Sequence, residues 1–117
     1  MRLREILVPV DFSLHSERAL ERAVGLAREL GGHLHLLHSY AVPVQGVMPY
    51  DFAVPDHVWE GIRQAAERRL EALRDKVAAE GLPVSTELSA EAPAEAIVKA
   101  AGARGAELIV MGTHGHS

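Results

Sequence analysis

The chain has no cysteine, which excludes disulfide bonds, thiolate metal ligands and thiol catalysis. No apolar run approaches the ~20 residues that a membrane-spanning helix needs, and the N-terminus lacks the extended apolar stretch of a signal peptide. We therefore expect one soluble domain over residues 1–117, located in the cytoplasm and without a membrane partner.

Aromatic residues are also scarce, and acidic residues outnumber basic ones. Aromatic side chains make up 4% of the chain and the formal net charge is −4, so no basic cluster with interleaved aromatics occurs. Nucleic-acid binding normally relies on such clusters to contact phosphates and stack on bases. The composition therefore argues against a nucleic-acid partner.

The hydrophobic pattern alternates between strand and helix along the whole chain. Strands are predicted over residues 5–10, 33–39, 84–88 and 107–111. Helices are predicted up to residue 30, over 56–80, and from Pro93 to Gly102 or Gly105, with a long loop over 40–55. This alternation predicts an α/β fold with a doubly wound, mostly parallel open sheet and helices on both faces.

Local signals agree with these boundaries. Ser13 or Ser16 can cap the first helix, and Gly31-Gly32 ends it. The alternating third strand suits an edge or half-exposed position, whereas four consecutive apolar residues, Leu108 to Met111, predict a fourth strand covered on both faces. The apolar stripe predicted for the second helix consists of Trp59, Ile62, Ala66, Leu70, Leu73 and Val77.

Candidate ligand-binding residues follow three of the strands, where parallel strands place them at one edge of the sheet. Asp11 can accept hydrogen bonds from a ribose hydroxyl or an amino group, and Val10 and Met111 can sandwich a flat base. Gly112 and Gly115 allow backbone N–H groups to face phosphate oxygens. A structural alternative is that Asp11 only caps the first helix and the glycines only turn the chain.

Other chemistries have weaker support. The chain has neither a P-loop nor a dinucleotide-binding glycine fingerprint, and no serine lies in a nucleophile elbow. A metal site could draw on His38, His114, His116 and Asp11, although their spacing matches no known ligand motif. Alternatively, His33 and His35 are partly exposed strand residues, and His114 is a loop donor to ligand or solvent.

The motifs together resemble the universal stress protein family. The similar segments are Ile6-Leu-Val-Pro-Val-Asp-Phe-Ser13 with Ser16 and Ala19-Leu20, then Leu36-Leu-His38, then Leu108-Ile-Val-Met-Gly-Thr-His-Gly-His-Ser117. They occur in family order and spacing over essentially the whole chain. The resemblance implies a Rossmann-like fold of the adenine-nucleotide α-hydrolase type and a homodimer.

For the ATP-binding branch of that family, the resemblance also implies which residues contact the nucleotide. ATP, with or without Mg²⁺, is the implied cofactor. The implied contacts are adenine and ribose with Pro9, Val10 and Asp11, the base with Ser39 and Met111, and ribose and phosphates with the loop Gly112, His114 and Gly115. The second half of the family's glycine motif, its fifth strand and its final helix have no counterpart, so we expect a C-terminally incomplete domain.

The sequence is compatible with three functions. The favoured one is a regulatory module that binds an adenine nucleotide in a stress response. The alternatives are a slow ATPase and a nucleotide-independent protein that interacts as a dimer. Catalytic phosphate transfer usually needs metal ligands and cationic stabilisation, for which the sequence offers little, so an enzyme is the less favoured interpretation.

Overall fold

The structure is a computed structural model, and it describes residues 4–40 and 55–112. The strands are β1 (Glu5–Pro9), β2 (His33–Ser39), β3 (Val84–Ser89) and β4 (Leu108–Ile109). The helices are α1 (Leu14–Leu30), α2 (Asp56–Ala78) and α3 (Pro93–Arg104).

The four strands form one parallel sheet in the order β3-β2-β1-β4. Helices α1 and α2 pack on one face and α3 packs on the other. The direction of strand addition reverses at β1, because β2 and β3 lie on one side of it and β4 on the other. The predicted doubly wound, Rossmann-like α/β fold is confirmed, and β3 is an edge strand as expected.

Capping residues explain where the helices begin and end. The Ser13 side chain accepts a hydrogen bond from the N–H of Ser16, which makes Ser13 the N-cap of α1. Pro93 is the first residue of α3, and its missing N–H costs nothing there. Gly105 ends α3 in the left-handed conformation, with φ 64°. The predicted helix boundaries hold to within about two residues.

The core has two parts, one on each face of the sheet. On the first face, Ile6, Val8 and Leu36 are fully buried against apolar residues of α1 and α2. On the second, Leu7 and Leu37 pack against Ala96 and Ala100 of α3. The alternation of β1 side chains between these two cores fixes the register of the sheet.

Strand β4 departs from the prediction. It is shorter than residues 107–111 and lies at the edge of the sheet, hydrogen-bonded to β1 alone among the described strands. Leu108 is half-buried, and Ile109 and Met111 are 41% and 48% exposed. The expectation of a strand covered on both faces was therefore wrong for the described part of the chain, because α3 packs over β1 and β2 instead.

The burial of His35 also differs from the prediction, which was a partly exposed strand residue. The side chain is 2% exposed, because β2 lies between β3 and β1 in the sheet. Both ring nitrogens of His35 have hydrogen-bond partners on β3. His33 is half-buried, as expected.

Two predicted features lie outside the described residues. One is most of the predicted loop over 40–55, and the other is the segment containing His114, Gly115 and His116. In the described ranges, no helix combines the length and the apolar character needed to cross a membrane.

Candidate functional site

A cavity of about 290 Å³ lies at the carboxyl edge of the sheet. It opens beside the point where strand addition reverses, between β1 and β4. Open α/β sheets bind ligands in this position, because the loops after the two strands diverge and leave a crevice. The cavity is lined by Pro9, Val10, Asp11, Ser16, Leu37, Ser39, Pro93, Ala96, Ile97, Met111 and Gly112.

Six of the eight sequence-predicted site residues therefore surround one cavity. They come from three separate segments: the end of β1, the end of β2 and the residues after β4. The other two, His114 and Gly115, lie outside the described residues. That these residues bind a nucleotide stays a prediction.

The turn from β1 into α1 holds Asp11 through backbone contacts. The Asp11 carboxylate accepts a hydrogen bond from the Ser13 N–H at 2.9 Å, while the Asp11 N–H donates to the Ser16 hydroxyl at 3.2 Å. Ser16 is 3% exposed, so this second bond lies in the protein interior. Asp11 thus stabilises the turn before α1, whereas the N-cap of that helix is Ser13, and Asp11 also lines the cavity.

Phe12 occupies the left-handed region at φ 65°, which is costly for a bulky residue. Two side chains contact its ring. The His38 ring lies 4.4 Å from it, centroid to centroid, and the Arg69 guanidinium lies 4.2 Å from its centroid. The His38 Nδ1 in turn donates to the Val10 carbonyl at 2.8 Å. This stack keeps the turn in the conformation that places Asp11 at the cavity.

Gly112 is where the chain after β4 passes α1. A Cβ atom at this position would lie 2.5 Å from the carbonyl carbon of His15 and 2.6 Å from its oxygen. Backbone atoms cannot give way as a flexible side chain can, so a side chain here forces a larger shift. The close approach expected of this loop therefore exists toward α1. As a result, a bulky substitution at Gly112 cannot report specifically on phosphate binding.

Two lining residues differ in how much surface they offer. Val10 is 4% exposed and belongs to the core on the α1 side, whereas Met111 is 48% exposed. A flat ligand between them would find most of its apolar contact at Met111 and at the half-buried Ile97. The Ser39 hydroxyl donates to the carbonyl of Glu91, so it can act toward a ligand only as an acceptor.

Helix α3 contributes a wall of the cavity that the sequence analysis missed. Pro93, Ala96 and Ile97 line it from the face opposite α1. The N-cap residue of α3, Ala92, has no side-chain hydrogen bond to the first turn. The positive end of a helix dipole thus faces a cavity whose lining includes one charged side chain, Asp11. The signal available in the sequence was the start of a helix at Pro93, right after a parallel strand.

A second polar cluster lies on the α3 face, in the amino half of the sheet. His35 Nδ1 is 2.6 Å from the Ser85 hydroxyl, and its Nε2 is 2.8 Å from the Glu87 carboxylate. Burial lowers the pKa of His35 from its usual 6.5, and the hydrogen bond with Glu87 opposes that shift. A serine, a histidine and an acid are in line here, yet none of them lines the cavity.

Metal ligation has no support among the residues described. Within residues 4–40 and 55–112, histidine, aspartate and glutamate side chains form no group of three or more that could hold a metal ion. His38 and Asp11, two of the four residues considered for such a site, take part in the turn instead.

Comparisons with known proteins agree with the fold. The universal stress protein family model matches residues 2–117. A universal stress protein of Thermus aquaticus is 37% identical over 96% of this chain and 78% of its own length. A Burkholderia pseudomallei protein of that family has a crystal structure that superposes with a TM-score of 0.80, at 27% identity over 96% of this chain and 83% of its own.

A further crystal structure, of a universal stress protein in complex with cAMP, superposes with a TM-score of 0.69 over 94% of this chain and 76% of its own, at 22% identity. At that identity it speaks for the fold alone. The family model and the Thermus relative cover nearly the whole chain. The chain therefore belongs to the universal stress protein family.

Proposed function

We propose that the protein binds an adenine nucleotide in the carboxyl-edge cavity and acts as a regulatory module in a stress response. One observation carries the proposal: the ends of β1, β2 and β4 bring Asp11, Ser39 and Met111 around a single cavity. Its mostly apolar wall with a few polar groups is typical of small-molecule sites.

The size of the cavity limits what it encloses. At about 290 Å³ it is close to the lower end of ligand sites, ~300 Å³, so the base and ribose fill it and the phosphates lie outside. Asp11 is the acceptor for a ribose hydroxyl or an adenine amino group. Met111 and Ile97 supply apolar contact to the base.

The comparisons add independent support. A universal stress protein of the same fold was solved in complex with cAMP, which is an adenine nucleotide, and this supports a ligand of that class. Which nucleotide this protein binds is part of the proposal: ATP, with or without Mg²⁺, is the expected ligand. No observation favours the slow ATPase or the nucleotide-independent protein. The homodimer and the cytoplasmic location remain predictions.

Calorimetric titration with adenosine, ATP and GTP tests the proposal. We expect adenosine and ATP to bind and GTP to bind at least about tenfold more weakly, because guanine presents a carbonyl where adenine presents an amino group. Asp11→Ala should lower adenosine affinity by about tenfold or more, the usual effect of losing a hydrogen bond to a charged group.

Glu29→Ala is the matched control, because it removes one exposed carboxylate from α1 outside the cavity lining. Absence of any binding by the unmodified protein at millimolar ATP would contradict the proposal. Equal loss of affinity in Asp11→Ala and Glu29→Ala would place the ligand elsewhere.

A further inference from the structure

A second cavity, of about 240 Å³, adjoins the first on the other side of Gly112. Met111 and Gly112 line both cavities, so the segment after β4 is their common wall. The remaining lining consists of His15, Arg18, Ala19, Arg22 and Val110. Two of these five residues are arginines, one is a histidine, and none is acidic.

The two arginines have no partner of opposite charge within residues 4–40 and 55–112. Arg28, Arg63, Arg74 and Arg104 each form an ion pair with a carboxylate in residues 4–40 and 55–112. Over the same ranges, Arg18 and Arg22 form no side-chain hydrogen bond or ion pair. Two unpaired guanidinium groups over one cavity make it a favourable place for an anion.

In its amino-terminal half, helix α1 separates its charges by side. Glu17 and Glu21 line a cavity between α1 and α2. Arg28 of α1 and Lys76 of α2 line the same cavity. Arg18 and Arg22 face the β4 side instead. Glu17 and Glu21 thus lie near Lys76 of α2, whereas Arg18 and Arg22 face the segment after β4. Arg28, nearer the end of α1, pairs with Glu80 on the α2 side. In a chain with formal net charge −4, this basic strip is an exception to the overall balance.

Distance along the helix fits an extended anion. Gly112 lies against the backbone of His15, in the first turn of α1. Arg18 and Arg22 follow His15 by about 4.5 and 10 Å along the axis, at ~1.5 Å per residue. Their side chains can therefore contact a chain of phosphates that leaves the first cavity over Gly112.

From these observations we infer that the cavity of Arg18 and Arg22 is a subsite for the phosphate groups of the bound nucleotide. The inference rests on the proposed function and refines it, because it selects nucleotides with several phosphates over AMP and adenosine. Arginine provides paired N–H donors that match phosphate oxygens.

Calorimetric titration with adenosine, AMP, ADP and ATP, at low and high salt, tests the subsite. In the unmodified protein, affinity should rise with phosphate number and this gain should shrink in high salt. In Arg18→Gln/Arg22→Gln, ATP affinity should fall by about tenfold or more, as expected for losing charge-assisted hydrogen bonds, while adenosine affinity is unchanged.

The control is Arg68→Gln/Lys76→Gln, which removes the same charge from exposed positions on α2 outside both cavities. It should bind ATP as the unmodified protein does. An equal fall in both double variants would reduce the effect to net charge and overturn the inference.

Two further outcomes separate this inference from the proposed function. If the unmodified protein binds ATP and Arg18→Gln/Arg22→Gln binds it equally well, the subsite is wrong and the proposed function stands. If the unmodified protein binds no adenine compound, both are wrong. Inorganic tripolyphosphate is the remaining probe. If it binds as tightly as ATP, and if its affinity falls as much as that of ATP in Arg18→Gln/Arg22→Gln, the cavity binds a free anion and not the phosphates of the nucleotide.

Discussion

The two ends of the sheet use polar residues in different ways. In the amino half, side chains pair with side chains: Glu5 accepts from His33 and Arg104, and His35 bonds to Glu87 and Ser85. At the carboxyl edge, the polar side chains bond to backbone groups of a turn, beside a cavity. Groups that pair with each other stabilise a fold, whereas a polar side chain that lines a cavity can also contact a ligand.

The same contrast appears in the backbone. The carboxyl edge contains a phenylalanine in the left-handed region and a glycine pressed against a helix backbone. The described residues of the amino half pair regularly, with Glu5 opposite His33 and Ile6 opposite Leu34. Strained conformations persist only where their surroundings hold them, and they tend to cluster at functional sites. The contrast thus supports a function at the carboxyl edge.

We expect the largest effect from Gly112→Ala. The new Cβ atom would overlap the backbone of His15, so the free energy of unfolding should fall by about 3 kcal/mol. Denaturant unfolding measures it. Gly102→Ala is the control. Gly102 lies in α3, a Cβ atom there would meet nothing within 4 Å, and alanine favours helices. Equal stability of the two variants would show that the segment after β4 does not pass so close to α1.

The next largest effect concerns Phe12. Replacing this half-buried ring by alanine should lower stability by about 2 kcal/mol, less than the cost for a fully buried phenylalanine. Phe12→Gly should be about 1 kcal/mol more stable than Phe12→Ala, because glycine adopts the left-handed region without strain. Unfolding in urea measures both. If Phe12→Ala were instead more stable than Phe12→Gly, residue 12 would not be left-handed in solution.

The amino half should respond only in stability. Arg104→Gln removes one partner of Glu5, and the effect should be about 1 kcal/mol or less, because Arg104 is partly exposed. Adenosine and ATP affinities, measured by calorimetry, should not change. Changed affinity in this variant would show that the two ends of the sheet are coupled, and would blur the distinction between them.

The regular elements could be predicted well from the sequence because their signals are local. The bounds predicted for β2 were those observed, since a glycine pair precedes it and a proline-rich loop follows. The grouping of Asp11, Ser39 and Met111 at one edge followed from parallel topology alone. These predictions needed only periodicity, turn residues and the geometry of βαβ units.

The rest depended on contacts between distant segments. No local pattern reveals that Gly112 touches His15 or that Phe12 is held by Arg69. The burial of His35 was missed for the same reason, since its partners are on β3 and become neighbours only through strand register. The exposure of β4 likewise depends on which strands α3 covers. The apolar run from Leu108 to Met111 carries no information about that packing.

The smallest expected effect is a difference in pH dependence caused by His35. Burial lowers the pKa of His35 in the folded protein below 6.5, so the unfolded chain binds its proton first as the pH falls. This group therefore reduces stability as pH falls below 6.5, until the folded protein is protonated too. Urea unfolding between pH 5 and 7.5 should show a shallower pH dependence for His35→Leu than for the unmodified protein. Because His35 lies apart from the cavity lining, ATP affinity at pH 7.5 should match in both. A steeper dependence in the variant would mean that the hydrogen bond with Glu87 outweighs burial, and that the amino half holds a charged histidine.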